Sequence, residues 1–300
     1  MLDVLIIGSG PAGLSAAIYA KRANLSVTVL EKFYMGFGQI TESSRVDNYL
    51  GMPGVNGFDL GEAFYRHAES FGVEFLEGEA VQIQKKEDFF TVSLTDGGEL
   101  TAKTIIYATG AAHRHLGVPG EDALAGRGVS YCAVCDGAFY RNKVVAVAGG
   151  GNTALDDALY LSELCSKVYL IHRRSEFRGA VATLAKLREK ENVEILAPAI
   201  ISAIQGEQKI SEIAFSDGRK ISCQGLFIAV GMVPQTEILH DLIPLDEAGY
   251  IVADETGKTA LPGFFAAGDV RKKMLRQVIT AAADGANAAV SAAEYLRQKR

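Results

Sequence analysis

Apolar positions come in short blocks along this chain, separated by glycine turns and by stretches with helical spacing. "DVLIIGSGPAGLSAAIYAKRANLSVTVLEK" (3–32) opens on a brief Val/Leu/Ile run, passes a glycine-rich turn, continues with apolar residues at helical spacing and closes on "SVTVLE". That pattern predicts a buried strand, a turn, a helix and a second strand. "KVVAVAGGGNTALDDALYLSELCSKVYLIHR" (143–173) repeats it, with Gly149 standing 141 positions after Gly8. "VEFL" (73–76) returns as "VEIL" (193–196), and "TDGGELTAKTIIYATG" (95–110) as "SDGRKISCQGLFIAVG" (216–231), now displaced by about 120 positions. Strands alternating with helices predict an α/β protein, and the two copies predict two Rossmann-like dinucleotide-binding domains rather than one continuous sheet.

The drop in displacement leaves copy one with about twenty extra residues, most simply within "FYMGFGQITESSRVDNYLGMPGVNG" (33–57). A loop so rich in glycine and polar residues is costly to order without a ligand or partner, so it is expected to wrap the far end of a large cofactor. "PGFFAAGDVRKKMLRQVITAAADGANAAVSAAEYL" (262–296) predicts a strand, a Gly-Asp turn and a small-residue helix, and has no counterpart after copy one. Assigning it to the first domain makes copy two an insertion. The expected domains are 1–114 with 245–300, and 115–244, joined through "HRHLGVPG" and "HDLIPLDEAG".

The two glycine turns lead into different chemistry. In copy one, Gly8, Gly10 and Gly13, with Pro11 and Ala12 between, form G-x-G-x-x-G at the opening of a helix, where backbone approaches a pyrophosphate. Glu31 ends the next strand and suits a free ribose 2′-hydroxyl, as in FAD or NAD. In copy two, Gly149, Gly151 and Ala154 enclose Asn152 and Thr153, and the position matching Glu31 is His172, followed by Arg173, Arg174 and Arg178. A solvated basic strand end is the plainer reading of these arginines. An acid there would repel a 2′-phosphate whereas arginines bind it, so this turn is expected to prefer NADPH.

Composition removes several alternatives. With 300 residues, 48% hydrophobic content and only seven prolines, the chain has ample material for packed cores. A net charge of −6 offers no broad basic surface, so neither nucleic acid nor an anionic membrane is an expected partner. No apolar run approaches the ~20 residues of a membrane span, and Met1-Leu2-Asp3 enters a strand with no signal-like segment, so a cytoplasmic location is expected.

Cys132 and Cys135 lie in "YCAVCDGAFY" (131–140), with Asp136 directly behind. Three readings are open: half of a metal site, an inert buried pair, or a redox dithiol. Zinc needs two further ligands, and Cys165 and Cys223 stand alone, read as small hydrophobes in the core. The redox reading accounts for more: a two-residue separation lets the sulfurs close a small disulfide, a thiolate there attacks another disulfide, and Asp136 supplies or accepts a proton if partial burial raises its pKa. A flavin accepts hydride and hands electrons on to sulfur, so an FAD-type turn, an NADPH-type turn and a dithiol form one consistent chemistry.

These residues identify a resemblance. "GSGPAGLSAAIYAKRANL", "GQIT", "YATGA", "CAVCDG", "GGGNTALDDALYLS", "HRRSEFR", "FAAGDVR" and "LRQVITAAADGANAA" are together similar to the low-molecular-weight, bacterial-type thioredoxin reductases, over essentially the whole chain. The resemblance implies a homodimer of FAD and NADPH domains, with the inserted NADPH domain carrying Cys132, Cys135 and a catalytic Asp136. It implies flavin contacts from Gly38, Gln39, Thr41 and Asn48 in the extra loop, from Ala108, Thr109 and Gly110, from Gly268 and Asp269 at the ribityl chain, and from Arg276, Gln277 and Val278. It also implies two alternating domain orientations, with Cys132 attacking thioredoxin and Cys135 nearer the flavin. Departures are Phe37 within "GFGQ", Glu31, and Gln235 where relatives usually have Asn. The same dithiol path also serves relatives that reduce peroxiredoxin partners or draw on ferredoxin, and a flavin-bearing redox sensor is the competitor without turnover.

Overall fold

A computed structural model describes residues 1–33, 36–43 and 45–299; Tyr34, Met35 and Ser44 of the extra loop, and Arg300, lie outside the described residues. The chain divides into two compact units, Met1–Ala112 with Val233–Arg300, and His113–Met232.

The first unit begins with β1 (Leu2–Ile7), α1 (Pro11–Arg22) and β2 (Val27–Glu31), as the apolar pattern predicts. Residues 4–7 of β1 are a continuous apolar run, as suits a strand paired in parallel on both sides and buried on both faces. After the extra loop come α2 (Gly57–Ser70), β3 (Glu74–Glu77), β4 (Ala80–Lys85), β5 (Phe90–Leu94), β6 (Glu99–Tyr107) and the short β7 (Ala111–His113). The sheet runs β3-β2-β1-β6-β5-β4, its first four strands parallel and the last three an antiparallel meander.

The second unit repeats this plan. β8 (Val129–Ser130) and the one-turn α3 (Ala133–Asp136) precede β9 (Val144–Ala148), α4 (Asn152–Ser162), β10 (Lys167–Ile171), α5 (Val181–Glu189) and β11 (Val193–Leu196). A three-stranded antiparallel sheet, β12 (Ile201–Gln205), β13 (Glu212–Phe215) and β14 (Lys220–Ser222), leads to β15 (Gly225–Ile228) and β16 (Met232–Pro234). The parallel sheet has the order β11-β10-β9-β15-β8, and its first four strands match β3-β2-β1-β6 of the first unit. β7 and β16 pair where the chain passes between units.

Back in the first unit, β17 (Phe264–Ala266) adds in parallel to β6, and α6 (Val278–Gln298) closes the fold. Small residues decide where α6 lies. A Cβ on Gly285 would sit 2.0 Å from the carbonyl oxygen of Ala12, so α6 and α1 pack at backbone distance. That contact sets α6 beside the first glycine turn.

The return to the first unit falls at Val233, earlier than the expected 245, because Leu239, Ile243 and Ile251 are buried with Tyr107 and Phe264 in one core. The first crossing falls at 112/113, against the expected 114/115.

Candidate active site

The first glycine turn is built by sterics. Gly8 has φ of +107°, and a Cβ there would meet the carbonyl oxygen of Ala108 at 2.5 Å; a Cβ on Gly13 would lie 1.8 Å from the Gly8 oxygen. Pro11 stands at the first helical position, where its missing N–H costs nothing. The Glu31 carboxylate is engaged by its own protein: Oε2 accepts from the N–H and the hydroxyl of Ser9, both at 2.7 Å, and Oε1 from the N–H of Lys32 at 2.7 Å. A carboxylate oxygen has further acceptor capacity, so a ribose hydroxyl can still be received.

The extra loop owes its order to its own packing as well as to any ligand. Phe37, Ile40 and Val46 are buried in the core beneath α2, the Phe37 ring lying 5.6 Å from Phe58 and 5.7 Å from Tyr65. The odd residue of "GFGQ" thus points into the core, and only its backbone and Gly38 (φ +76°) pass along Gly10. Gln39 is half-buried, and Thr41 donates its hydroxyl to the Gly38 oxygen at 3.1 Å. Asn48 reaches Gln277, the residue capping α6, with Nδ2 donating to Oε1 at 2.8 Å.

Further along the turn, Ala108 is buried, the Thr109 hydroxyl donates to the backbone oxygen of Gln235 at 3.0 Å, and the N–H of Gln235 donates to Gly110 at 3.1 Å. Position 235 works through its backbone, which accounts for Gln in place of the usual Asn. Asp269 lies in the turn Gly268–Val270, and its Oδ1 is buried with no hydrogen-bond partner among the described residues. Burial pushes its pKa up to about 6, against the opposing pull of Lys273 and Arg276. A buried, unpartnered acceptor is what a bound hydroxyl chain such as ribityl satisfies, and open space over Gly110 adds room, so these residues fit FAD. Arg276 lies 4.2 Å over the Tyr250 ring, and Val278 starts α6.

In the second unit the turn Gly149–Ala154 precedes α4, and a Cβ on Gly151 would meet nothing within 4 Å. The "HRRSEFR" loop is tied to it: the N–H groups of Arg178 and Gly179 donate to the Gly150 oxygen, and that of Ala180 to Oδ1 of Asn152. Thr153 is exposed. Arg173, Arg174 and Arg178 are exposed, and none makes a salt bridge among the described residues. His172 differs from them: its ring is buried under Gly150, its Nε2 is 3.1 Å from the Glu176 oxygen, and burial lowers its pKa. It supports the turn from beneath, whereas the three arginines stay exposed.

Cys132 and Cys135 form a disulfide at the start of α3, with Cα atoms 5.3 Å apart. Cys132 is the N-cap residue, and its Sγ accepts from the N–H of Cys135 at 3.1 Å. Both are half-exposed, between exposed Val134 and buried Ala133. Asp136 accepts the Ser130 hydroxyl at 2.7 Å, and burial raises its pKa while that hydrogen bond pulls it back. Cys165 and Cys223 are free and buried, their thiols pushed up to about 11 and about 12 by desolvation. Neither sits within a helix or strand; Cys165 follows α4 and Cys223 joins β14 to β15.

Several participants carry no local signal. Ser130 and Ser9 act through partners six and 22 positions away. Asp284 had one: an acid on a small-residue helix face. It is buried, accepting from the Gly268 N–H at 3.1 Å and from Arg271 and Lys273, both at 2.8 Å, and so steadies the turn that carries Asp269.

A family model described as pyridine nucleotide-disulphide oxidoreductase matches residues 2–285. The chain is 43% identical over 300 residues to the thioredoxin reductase of Treponema pallidum (strain Nichols), covering 98% of this chain and 97% of that one. It is 41% identical to that of Helicobacter pylori (strain J99), covering 99% of both. The crystal structure of thioredoxin reductase from Streptococcus pyogenes MGAS5005 superposes with a TM-score of 0.94 at 40% identity, over 99% of each chain. With two Rossmann-type units, the second inserted in the first, and a Cys-x-x-Cys disulfide, this chain belongs to the pyridine nucleotide-disulphide oxidoreductase family.

Proposed function

We propose that this chain is an NADPH-dependent thioredoxin-disulfide reductase with FAD held in its first unit. The observation that carries the reading is the Cys132–Cys135 disulfide, borne on the same unit as a glycine turn with three arginines free of acidic partners among the described residues. Relatives of about this length and 40–43% identity bear the name thioredoxin reductase.

Bound FAD supplies the two-electron exchange between a hydride donor and a disulfide. Glu31, Asn48, Asp269 and Gln277, with the turn Gly8–Gly13, are the residues that hold it. Arg173, Arg174 and Arg178 take the 2′-phosphate of NADPH, and the start of α4 takes its pyrophosphate. Opening the Cys132–Cys135 bond consumes two electrons and two protons, and Asp136, kept protonated to higher pH by burial, delivers one proton to sulfur. The Cys132 thiolate then attacks the thioredoxin disulfide, forming a mixed disulfide, and Cys135 displaces it, releasing thioredoxin dithiol and restoring the Cys132–Cys135 bond. The sum is NADPH, a proton and oxidised thioredoxin giving NADP⁺ and reduced thioredoxin.

The same reading makes the enzyme a cytoplasmic homodimer. No described helix is long and apolar enough to cross a membrane, and exposed Met274, Leu275 and Ile279 offer apolar surface to a second copy.

The test is to purify the protein, record its flavin spectrum, add NADPH or NADH, and then supply thioredoxin. Flavin bleaching by NADPH followed by thioredoxin dithiol formation supports the assignment, and Cys135→Ser is expected to keep the bleaching and lose the turnover. A protein that takes up no flavin overturns it. Bleaching without thioredoxin reduction reassigns the partner to a peroxiredoxin-type protein or the role to a sensor, and bleaching only by reduced ferredoxin reassigns the donor.

A further inference from the structure

Tyr131, the residue before Cys132, is held by two rings and a carboxylate of the segment that opens the second unit. The His113 ring stacks on it at 5.2 Å, and the His115 ring lies at 5.1 Å. Its hydroxyl donates to Oε1 of Glu121 at 2.9 Å and is 3.0 Å from Nδ1 of His115. Glu121 is only 2% exposed, and its carboxylate also accepts the N–H groups of Leu116 at 3.0 Å and Gly117 at 2.8 Å. Burying a carboxylate is costly unless its lone pairs are satisfied, and among the described residues the Tyr131 hydroxyl completes this set, with His115 at 3.4 Å from Oε1 as the other side-chain neighbour. The N–H of Cys132 itself donates to the Ser130 hydroxyl oxygen at 3.1 Å.

We propose that Tyr131 and Glu121 are positioning residues that pre-set the backbone of Cys132 for closure onto Cys135. Consecutive Cα atoms are about 3.8 Å apart, so rotation at Tyr131 swings the Cys132 sulfur directly. With the ring clamped, the entropy of ordering position 131 is already lost in the dithiol form, and ring closure does not have to supply it. The inference deepens the dithiol reading of the proposed function. A plain packing contact, one that leaves position 131 equally ordered in its absence, would not move the closure equilibrium.

The two roles separate in a redox titration of the holoprotein with glutathione. Protein dithiol and glutathione disulfide give the Cys132–Cys135 disulfide and two glutathione thiols, two electrons passing from protein sulfur to glutathione sulfur. The fraction oxidised is read by alkylation and mass spectrometry. Tyr131→Phe, which keeps the ring and deletes the hydroxyl, is expected to lower the equilibrium constant for disulfide formation about three- to tenfold, because closure must then supply part of the entropy of ordering position 131. Glu121→Gln is expected to lower it in the same direction and carries the test if Tyr131→Phe does not fold. A constant unchanged in both variants overturns the proposal. Thioredoxin reduction by the wild type, assayed alongside, tests the catalytic reading separately: its failure with a shifted constant removes that reading and leaves the clamp.

Discussion

Ser130 donates its hydroxyl to Oδ2 of Asp136 at 2.7 Å, spanning the disulfide from the residue two before Cys132 to the residue after Cys135. Burial raises the Asp136 pKa, and this bond opposes it. Because the folded protein holds that proton to higher pH than the unfolded chain, the stability it contributes is present below the ordinary carboxylate range and is lost as pH rises through the folded pKa. In the proposed mechanism the same titration removes the proton donor. Asp136→Asn is expected to slow dithiol turnover roughly 10²-fold or more while flavin reduction by NADPH is kept. Ser130→Ala is expected to move the alkaline limb of the rate profile to higher pH, read from stopped-flow rates across pH.

Gly13 and Gly151 predict opposite outcomes for the same substitution. A Cβ on Gly13 collides with the Gly8 carbonyl at 1.8 Å, so Gly13→Ala is expected to cost several kcal/mol, about 3 or more, seen as loss of folded yield or a large drop in Tm. A Cβ on Gly151 meets only open space, at a backbone φ of −95° that alanine accepts. Gly151→Ala is expected to leave Tm nearly unchanged and raise the KM for NADPH about tenfold, because only a closely approaching pyrophosphate needs that space.

Exposed Arg173 and Arg174 have no structural employment in ion pairs among the described residues, so replacing both by Ala is expected to leave the fold intact. The ratio of kcat/KM for NADPH over NADH should fall by about 10²-fold, as two charge-assisted contacts are lost. An unchanged ratio would remove the 2′-phosphate assignment.

Asp269 holds a buried oxygen without a partner, and desolvation pushes its pKa up to about 6. In flavin-free protein its contribution to stability is present below the ordinary carboxylate pKa and lost as pH rises to about 6 and beyond. Asp269→Asn should therefore gain about 3 kcal/mol in urea unfolding of the flavin-free form at pH 7. It should also retain FAD less well on gel filtration, since the acceptor for the ribityl chain is weakened.

The locally periodic features were legible from the residues alone: the strands Leu2–Ile7 and Val144–Ala148, the helices after each glycine turn, and the pairing of Cys132 with Cys135. They were legible because a strand's or helix's apolar period, a glycine's freedom and a two-residue spacing are local properties. Phe37 was not. The sequence shows it only as an odd residue in a loop rich in glycine and polar residues, and packing against Phe58 and Tyr65 turns it to the core.

Amino-acid order alone determined two α/β copies, their different glycine turns, and a dithiol beside an acid. Tertiary structure decided which groups find partners and which do not: Asp269 is left with an orphan oxygen among the described residues, Glu31 is bound by Ser9, His172 is buried below the arginines, and Tyr131 is gripped by Glu121. The division has a physical cause. Period and spacing are written within a turn or two of chain, whereas burial and hydrogen-bond satisfaction depend on residues brought together from positions far apart, as Asn48 and Gln277 are across 229 positions.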